Sequence, residues 1–366
     1  MTVRERAAES VPDQAPESAL GAEDLKLFQE SMAKVLAGAE GPELVSSLEE
    51  QGWFELWDEQ PRAAAMALFG QQGRLARTSP VLTLLMGASV AGPTGWVSAG
   101  SVSAGSVSAG SISGVAPVLL PGPAAFSDTA FSDGGWAVAG PDGTVRALAQ
   151  SAALDVGRAA VLPVRDGDGL SLVELATGTL RRTPVEGLDP ALGLCRVDAT
   201  VRAGTPVLVG AEAERAWRRS VALGRRLLAE EMCGVVAEQL RLALGHAGSR
   251  TQFGRPIGSF QAVKHKLAEV HVALTVAELA AEEAWAQPAA TSSLLAALLG
   301  ATAVETANLH CQQVLGGIGF TWEHPFHRYA RRGRVLAAVL GSRAQLAREL
   351  GGRIVDSGEL PVLAEL

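Results

Sequence analysis

The sequence predicts an α+β protein with an N-terminal helical domain, a middle β-domain and a C-terminal antiparallel four-helix bundle. Three observations carry that prediction. Apolar residues recur at spacings of three and four from Glu23 to about Met86, and again from Ala211 to about Ile354. Between them, from Val115 to about Val209, short apolar runs are separated by Gly, Pro and Asp, which is the texture of strands and turns. The apolar content is carried by Ala, Leu, Val and Gly, with a single tyrosine and few phenylalanines. Small side chains of that kind favour closely packed helices.

Residues 1–22 are polar, contain Pro12 and Pro16, and are expected to form a disordered lead-in. The N-terminal helical domain is placed at 23–114. Leu25, Phe28, Met32 and Val35 make its first stripe, and Ala63 to Leu75 repeats the style. The stretch "QGWFELWDEQP" between them, with Gly52 and Pro61, reads as a turn region. At 97–114 the five-residue repeat "VSAGSVSAGSVSAGSISG" reads as a small-residue loop lengthened by duplication. A phosphate-cradling loop would need a following helix with a basic residue, and the sequence provides neither.

The β-domain is placed at 115–209, on runs such as "APVLLPG", "WAVAG", "AAVLPV", "LSLVEL" and "TPVLVG". The helical bundle is placed at 210–354. Leu223, Leu227, Leu228, Met232, Val235 and Val236 form one stripe. Val263, Leu267, Val270, Leu274 and Leu279 form a second. Leu294 to Leu309 form a third and Val335 to Leu350 a fourth.

Bulk properties bound the function. A chain of 366 residues, nearly half apolar, has material for two or three domains. A formal net charge of -8 argues against nucleic acid as a general partner, though not against a phosphorylated cofactor held by a few arginines. Cys195, Cys233 and Cys311 have no paired spacing, so neither a disulfide framework nor a metal site is expected. No secretion signal follows Arg4 and Arg6, and no strongly apolar run reaches the ~18 residues of a membrane span. Ser292 to Val304, the richest candidate, reads as a buried helix. A cytoplasmic protein is expected.

The candidate functional residues lie in two loops between the bundle helices. "RTQFGRPIGSFQ" begins at Arg250, whose permanently charged fork of donors matches a phosphate. Gln252 adds an amide and Phe253 a flat ring. In "QQVLGGIGFTWEHP", Gly316, Gly317 and Gly319 allow another molecule close to the backbone, and Gln313 lies one step before them. Alone, Arg250 reads more often as a surface salt-bridge residue, and the glycines more often as a helix C-cap with a turn.

Together the two loops resemble the acyl-CoA dehydrogenase family. "RTQFGRPIGSFQ" is similar to its R-x-Q-F-G-x-P-I-x-x-F-Q signature, and "QVLGGIGFTWEHP" to its Q-x-x-G-G-x-G-[FY]-[TS] signature. The resemblance is close from about Gly210 to Leu350, looser over "LEEQGWFELW" and "ALFGQQGRLARTSPVL", and weak across the β-domain. It implies FAD at a subunit interface. Arg250 and Phe253 would face the pyrophosphate and flavin edge, with Gln252 beside them, and Gln313, Gly316 and Gly317 would face the adenosine side. Acyl-CoA is the implied substrate.

The chain departs from the family where the chemistry is done. The reaction needs a carboxylate to take the α-proton while a hydride leaves the β-carbon. Family members commonly carry it in a Y-E-G-T stretch. Here that stretch is Val339, Leu340, Gly341 and Ser342, with Leu340 in the glutamate place. Others carry it early on the first bundle helix. That position is Gly224, followed by Arg225, which matches a family arginine. Glu230, Glu231, His246 and Glu323 are possible substitutes, each more readily explained as solvated or structural. The T-E-P-x-x-G-S-D stretch that contacts the flavin ring survives only as fragments around Asp128, Asp133 and Trp136.

These departures imply a subunit that lacks the base and lends flavin-binding loops to a homologous partner, in a heterotetramer. Some actinobacterial dehydrogenases acting on steroid side chains are similar. Two alternatives stay open: an active flavoenzyme of this fold with a relocated base or monooxygenase chemistry, and a flavin-free assembly subunit.

Overall fold

A computed structural model describes residues 21–91, 115–121, 137–138, 140, 142–166 and 169–357. Residues 1–20 of the lead-in, the 97–114 repeat, and Asp128, Asp133 and Trp136 lie outside the described residues.

The N-terminal helices are α1 (Ala22–Gly38), α2 (Gly41–Glu50), α3 (Trp53–Glu59), α4 (Pro61–Ala65), α5 (Gln71–Leu75) and α6 (Val81–Ala91). "QGWFELWDEQP", expected to be a turn region, is mostly helix. Gly52 at φ 72 starts α3, and Trp53 is buried with its indole N–H donating to the Ala64 carbonyl at 2.9 Å. Burial of Trp53, Phe54 and Leu56 outweighs the breaker signal of the flanking Gly and Pro. Between α4 and α5, Met66–Gly70 winds as a π-helix.

The middle of the chain makes two four-stranded sheets. The strands are β1 (Leu120–Pro121), β2 (Ala137–Val138), β3 (Thr144–Gln150), β4 (Ala159–Asp166), β5 (Gly169–Ala176), β6 (Arg181–Pro184), β7 (Leu194–Thr200) and β8 (Thr205–Val209), with α7 (Ser151–Val156) after β3. One sheet has the order β1-β3-β7-β6 and the other β2-β4-β5-β8. All neighbours are antiparallel except β2 and β4. Strand β7 shows why it pairs as it does: Cys195, Val197 and Ala199 alternate inward while Arg196 and Asp198 stay partly exposed. Those inward residues share a core with Val145, Ala147, Leu162, Val164, Val173 and Leu175.

The rest is helical: α8 (Gly210–Ser249), α9 (Gln261–Ala286), α10 (Ala290–Leu315), α11 (Phe326–Val339) and α12 (Arg343–Ser357). The α8 helix has 40 residues and so spans about 60 Å. It packs on α9, α10 and α11 on one side and on α5 and α6 on the other. Gly73 and Gly234 make this possible, because an added Cβ on either would collide with the backbone of the opposite helix. One continuous core therefore joins Trp53, Phe69 and Leu84 to Trp217, Leu227, Val235 and Phe326.

The fourth apolar stripe, Val335 to Leu350, is not one helix. It breaks at Leu340–Ser342, where Gly341 adopts φ 115. Ser342 then caps α12: its N–H and hydroxyl both donate to the Gln345 side chain, at 2.9 and 2.8 Å. Ala290–Phe320, containing α10, passes by length and composition as a membrane-spanning helix. Here it packs against α8, α9, α11 and α12.

Candidate functional site

The chain ends of α8 and α10 emerge at the same end of the bundle. Gln239 of α8 donates to Asn308 of α10 at 2.7 Å, so the two helices run side by side toward their loops. His246, one turn before Arg250, feels both loops. Its pKa is lowered by burial, then by His324 beyond the second loop and by Arg250.

The first loop is a short hairpin, Thr251–Gln252 paired with Arg255–Pro256. Phe253 and Gly254 form its tip with φ 52 and 76. Positive φ at both central residues gives the twist that strand pairs prefer, and Gly254 adopts it freely. Phe253 does so against its side-chain preference. Its ring is 93% exposed, touching Phe260 edge-on at 6.1 Å. Arg250 ends α8 through its backbone N–H, which donates to His246, while its guanidinium has no ion-pair partner among the described residues. Gln252 is exposed and donates to the Thr251 carbonyl at 2.8 Å.

In the second loop Gln313, next to the turn, is exposed. Gly316 has φ 61, so glycine there has a conformational reason. Gly317 has no such reason: a Cβ there would meet nothing within 4 Å. An open glycine and an unpaired arginine on adjoining loops are what a phosphate-bearing ligand approaching from outside the chain would use, and in that sense the residues fit an FAD. Gln312, not singled out by the sequence, packs the loop instead, donating to the Gly316 carbonyl at 3.2 Å. Trp322 was also missed. It is 77% exposed, with the Arg331 guanidinium 4.9 Å from its ring centre and His327 at 4.6 Å. Its signal was present, as a tryptophan two residues beyond Phe320.

Far from these loops, Gly224 and Leu340, the two positions where the resemblance would place a base, meet. A Cβ on Gly224 would lie 2.6 Å from Leu340 Cδ1 and 2.7 Å from Met86 Sδ. Leu340 is 3% exposed and Met86 is fully buried. The space beside them, among Arg225, Leu228, Leu340 and Gly341, measures about 10 Å³. That is at the lower limit for a single water. Arg225 is locked alongside, donating to Glu349 at 2.6 and 3.0 Å and to the Leu340 carbonyl at 3.4 Å. Met86 carries no sequence signal for this role; only packing puts it there.

The considered substitutes lie elsewhere. Glu323 is exposed. Glu231 is buried beside Arg332, with Nη1 to Oε1 at 3.4 Å, and Arg332 also donates to Asp189 and to the carbonyls of Ala76 and Arg77. Burial pushes the Glu231 carboxyl up to about 7, against the pull of Arg332. This cluster ties together the segment after α5, the β-domain, α8 and α11. Glu230 is buried and accepts from the Trp285 indole at 3.1 Å. Burial pushes its carboxyl up to about 7 as well. Among the described residues no group of His, Cys, Asp or Glu could hold a metal ion.

Residues 215–354 match the family model of the acyl-CoA dehydrogenase C-terminal domain. Acyl-CoA dehydrogenase IpdE2 of Mycobacterium tuberculosis is 39% identical over 131 residues, which is 36% of this chain and 41% of that protein. The chain thus matches less than half the length of that curated relative. Among solved structures, a Tcur3481-Tcur3483 steroid ACAD variant superposes with a TM-score of 0.70 at 20% identity, covering 92% of this chain and 99% of that one. The ChsE4-ChsE5 complex from Mycobacterium tuberculosis gives 0.64 at 20% identity, with 94% and 99% covered. At that identity the likeness shows the fold: nearly the whole chain has the acyl-CoA dehydrogenase fold.

Proposed function

We propose that this chain is the non-catalytic subunit of a heteromeric, flavin-dependent acyl-CoA dehydrogenase that introduces an α,β double bond into an acyl-CoA thioester of the steroid side-chain class. The observation that carries the reading is the meeting of Gly224, Leu340 and Met86. The two places that could hold a base converge on one spot, and apolar side chains fill it. An acyl thioester needs room there and a carboxylate; this chain offers about 10 Å³ and none.

The loops, in contrast, keep their ligand-facing character. Arg250 would set its charge against the pyrophosphate of FAD, Gln252 would add a donor, and Phe253 would cover an edge of the cofactor. Gln313, Gly316 and Gly317 would take the adenosine side. FAD, when bound, would supply hydride acceptance, and the base would come from a homologous partner. The names of the structural neighbours, a steroid ACAD of two differently numbered components and a ChsE4-ChsE5 complex, support the heteromer and the substrate class.

The test is co-purification with a homologous partner that carries the glutamate, followed by flavin content and anaerobic flavin reduction by a steroid side-chain acyl-CoA. The complex is expected to hold flavin and reduce it, and this chain alone is expected to do neither. A homogeneous preparation of this chain whose own flavin is reduced by acyl-CoA refutes the proposal. Oxygen consumption by that preparation would point to monooxygenase chemistry instead.

A further inference from the structure

A cleft of about 670 Å³ opens between α1, the π-helix with α5, α8 and α9. That volume lies within the range of small-molecule sites. It is separate from both loops and from the Gly224–Leu340 contact. Its two walls differ in charge. Lys26, Arg62 and Arg74 come from the N-terminal helices, and Glu230, Glu278 and Glu282 from the bundle. Glu30 of α1 brings the carboxylates to one more than the cations.

The excess charge falls on Glu230. Arg62, the cation that most lowers its pKa, is committed to Glu282 at 2.9 Å. Arg74 acts mainly on Glu278, together with His271. Arg226, on the same helix as Glu230, lies over the Trp285 ring at 4.6 Å. Glu230 itself is more than nine-tenths buried, and only its Oε1 has a hydrogen-bond partner among the described residues, the Trp285 indole. Glu278 and Glu282 both raise its pKa further. So a carboxylate lines the cleft with its second oxygen free to accept from a ligand, and the one cation that acts on it is shared with Glu282.

A second observation points the same way. The π-helix Met66–Gly70 lends Met66 and Gly70 to the cleft wall. Such windings sacrifice regular hydrogen bonding and recur at functional sites. Met66, Leu279 and Ala33 give the cleft an apolar lining beside its charges.

We propose that this cleft binds a small primary alkylamine, its ammonium paired with Glu230 and its alkyl body against Met66 and Leu279. A single ammonium balances the single excess carboxylate, and the three donors of an ammonium suit the unbonded Glu230 oxygen with Glu278 nearby. Neutral ligands would leave the carboxylate unpaired.

The experiment is calorimetric titration of the full chain, or its complex, with n-butylammonium at pH 6 and pH 8. The amine stays protonated throughout. Glu230 must be ionised to pair. With its carboxyl at about 7, affinity is expected to rise roughly tenfold from pH 6 to pH 8. Glu230→Gln keeps the acceptor for Trp285 and is expected to fold normally while weakening binding about tenfold at pH 8. n-Butanol is the uncharged control. The proposal is overturned by a dissociation constant weaker than ~10 mM at pH 8, by equal binding to Glu230→Gln, or by n-butanol binding as tightly as the amine. None of these outcomes bears on flavin content, so the heteromer reading stands or falls separately.

Discussion

Replacing Leu340 with glutamate introduces the residue type that the proposed reaction calls for, yet the structure predicts a pH-dependent loss of stability and no gain of activity. The introduced carboxyl would face Gly224 and Met86 in a space of about 10 Å³. Its nearest cation, Arg225, is already committed to Glu349. Two carboxyls further along α8, Glu230 and Glu231, are pushed up to about 7 by burial even with donors beside them. The new group has less company, so a folded pKa of at least about 7 is expected. The sign follows directly. A carboxyl whose pKa is raised on folding binds more protons in the folded state, so its penalty is absent below the unfolded pKa, near 4.3, and complete above the folded one. Working from 4.3 to 7, the titration penalty is about 3.5 kcal/mol at pH 8.5 and about 1.5 kcal/mol at pH 5.5. Loss of leucine packing adds a term of about 1–3 kcal/mol that does not change with pH. Urea unfolding of wild type and Leu340→Glu at both pH values isolates the titrating part, because Glu230 and Glu231 cancel in the comparison. Its expected value is a difference of about 2 kcal/mol between the two pH values. An equal loss at both, or a variant that reduces flavin with acyl-CoA, would refute the claim that this position is closed and apolar.

Other perturbations separate the loops from the scaffold. Arg250→Ala is expected to lower the flavin content of the complex at least tenfold, read by absorbance. It should change stability by less than about 0.5 kcal/mol, since its guanidinium has no ion-pair partner among the described residues. Phe253→Gly relieves a phenylalanine held at φ 52. It should leave stability unchanged or raise it by up to about 1 kcal/mol while weakening flavin retention. Arg332→Ala strands Asp189 and Glu231 in the interior. A loss of about 3–5 kcal/mol in chemical denaturation is expected, and a loss under 1 kcal/mol would show that the cluster is wetter than its burial implies. Glu230→Gln removes a carboxyl pushed up to about 7. It should stabilise the chain by about 2–3 kcal/mol at pH 8.5 and by little at pH 5, because the raised carboxyl is uncharged in acid.

The sequence by itself determined the helical, β and helical order, because apolar spacing survives without any knowledge of neighbours. It also located the two loops and pointed to Gly224 and Leu340 as the positions where the resemblance would place a base, since residue type is legible position by position. It did less well where context overrides local pattern. Trp53 to Glu59 read as a turn and fold as helix, because an aromatic cluster buries there. Strands β3, β6 and β7 were not among the runs that suggested the β-domain, because their outward faces carry Arg, Asp and Thr. The apolar stripe from Val335 to Leu350 hid the break at Gly341. Tertiary structure alone decided what surrounds those two positions. Gly224 and Leu340 are separated by more than a hundred residues and Met86 by more still, and only the packing of α6, α8 and the end of α11 presses them together. It alone also showed that Glu230, one residue from Glu231, lines a different space with a different partner. Adjacent positions on a helix point about 100° apart, and what each side chain meets there is a property of the fold.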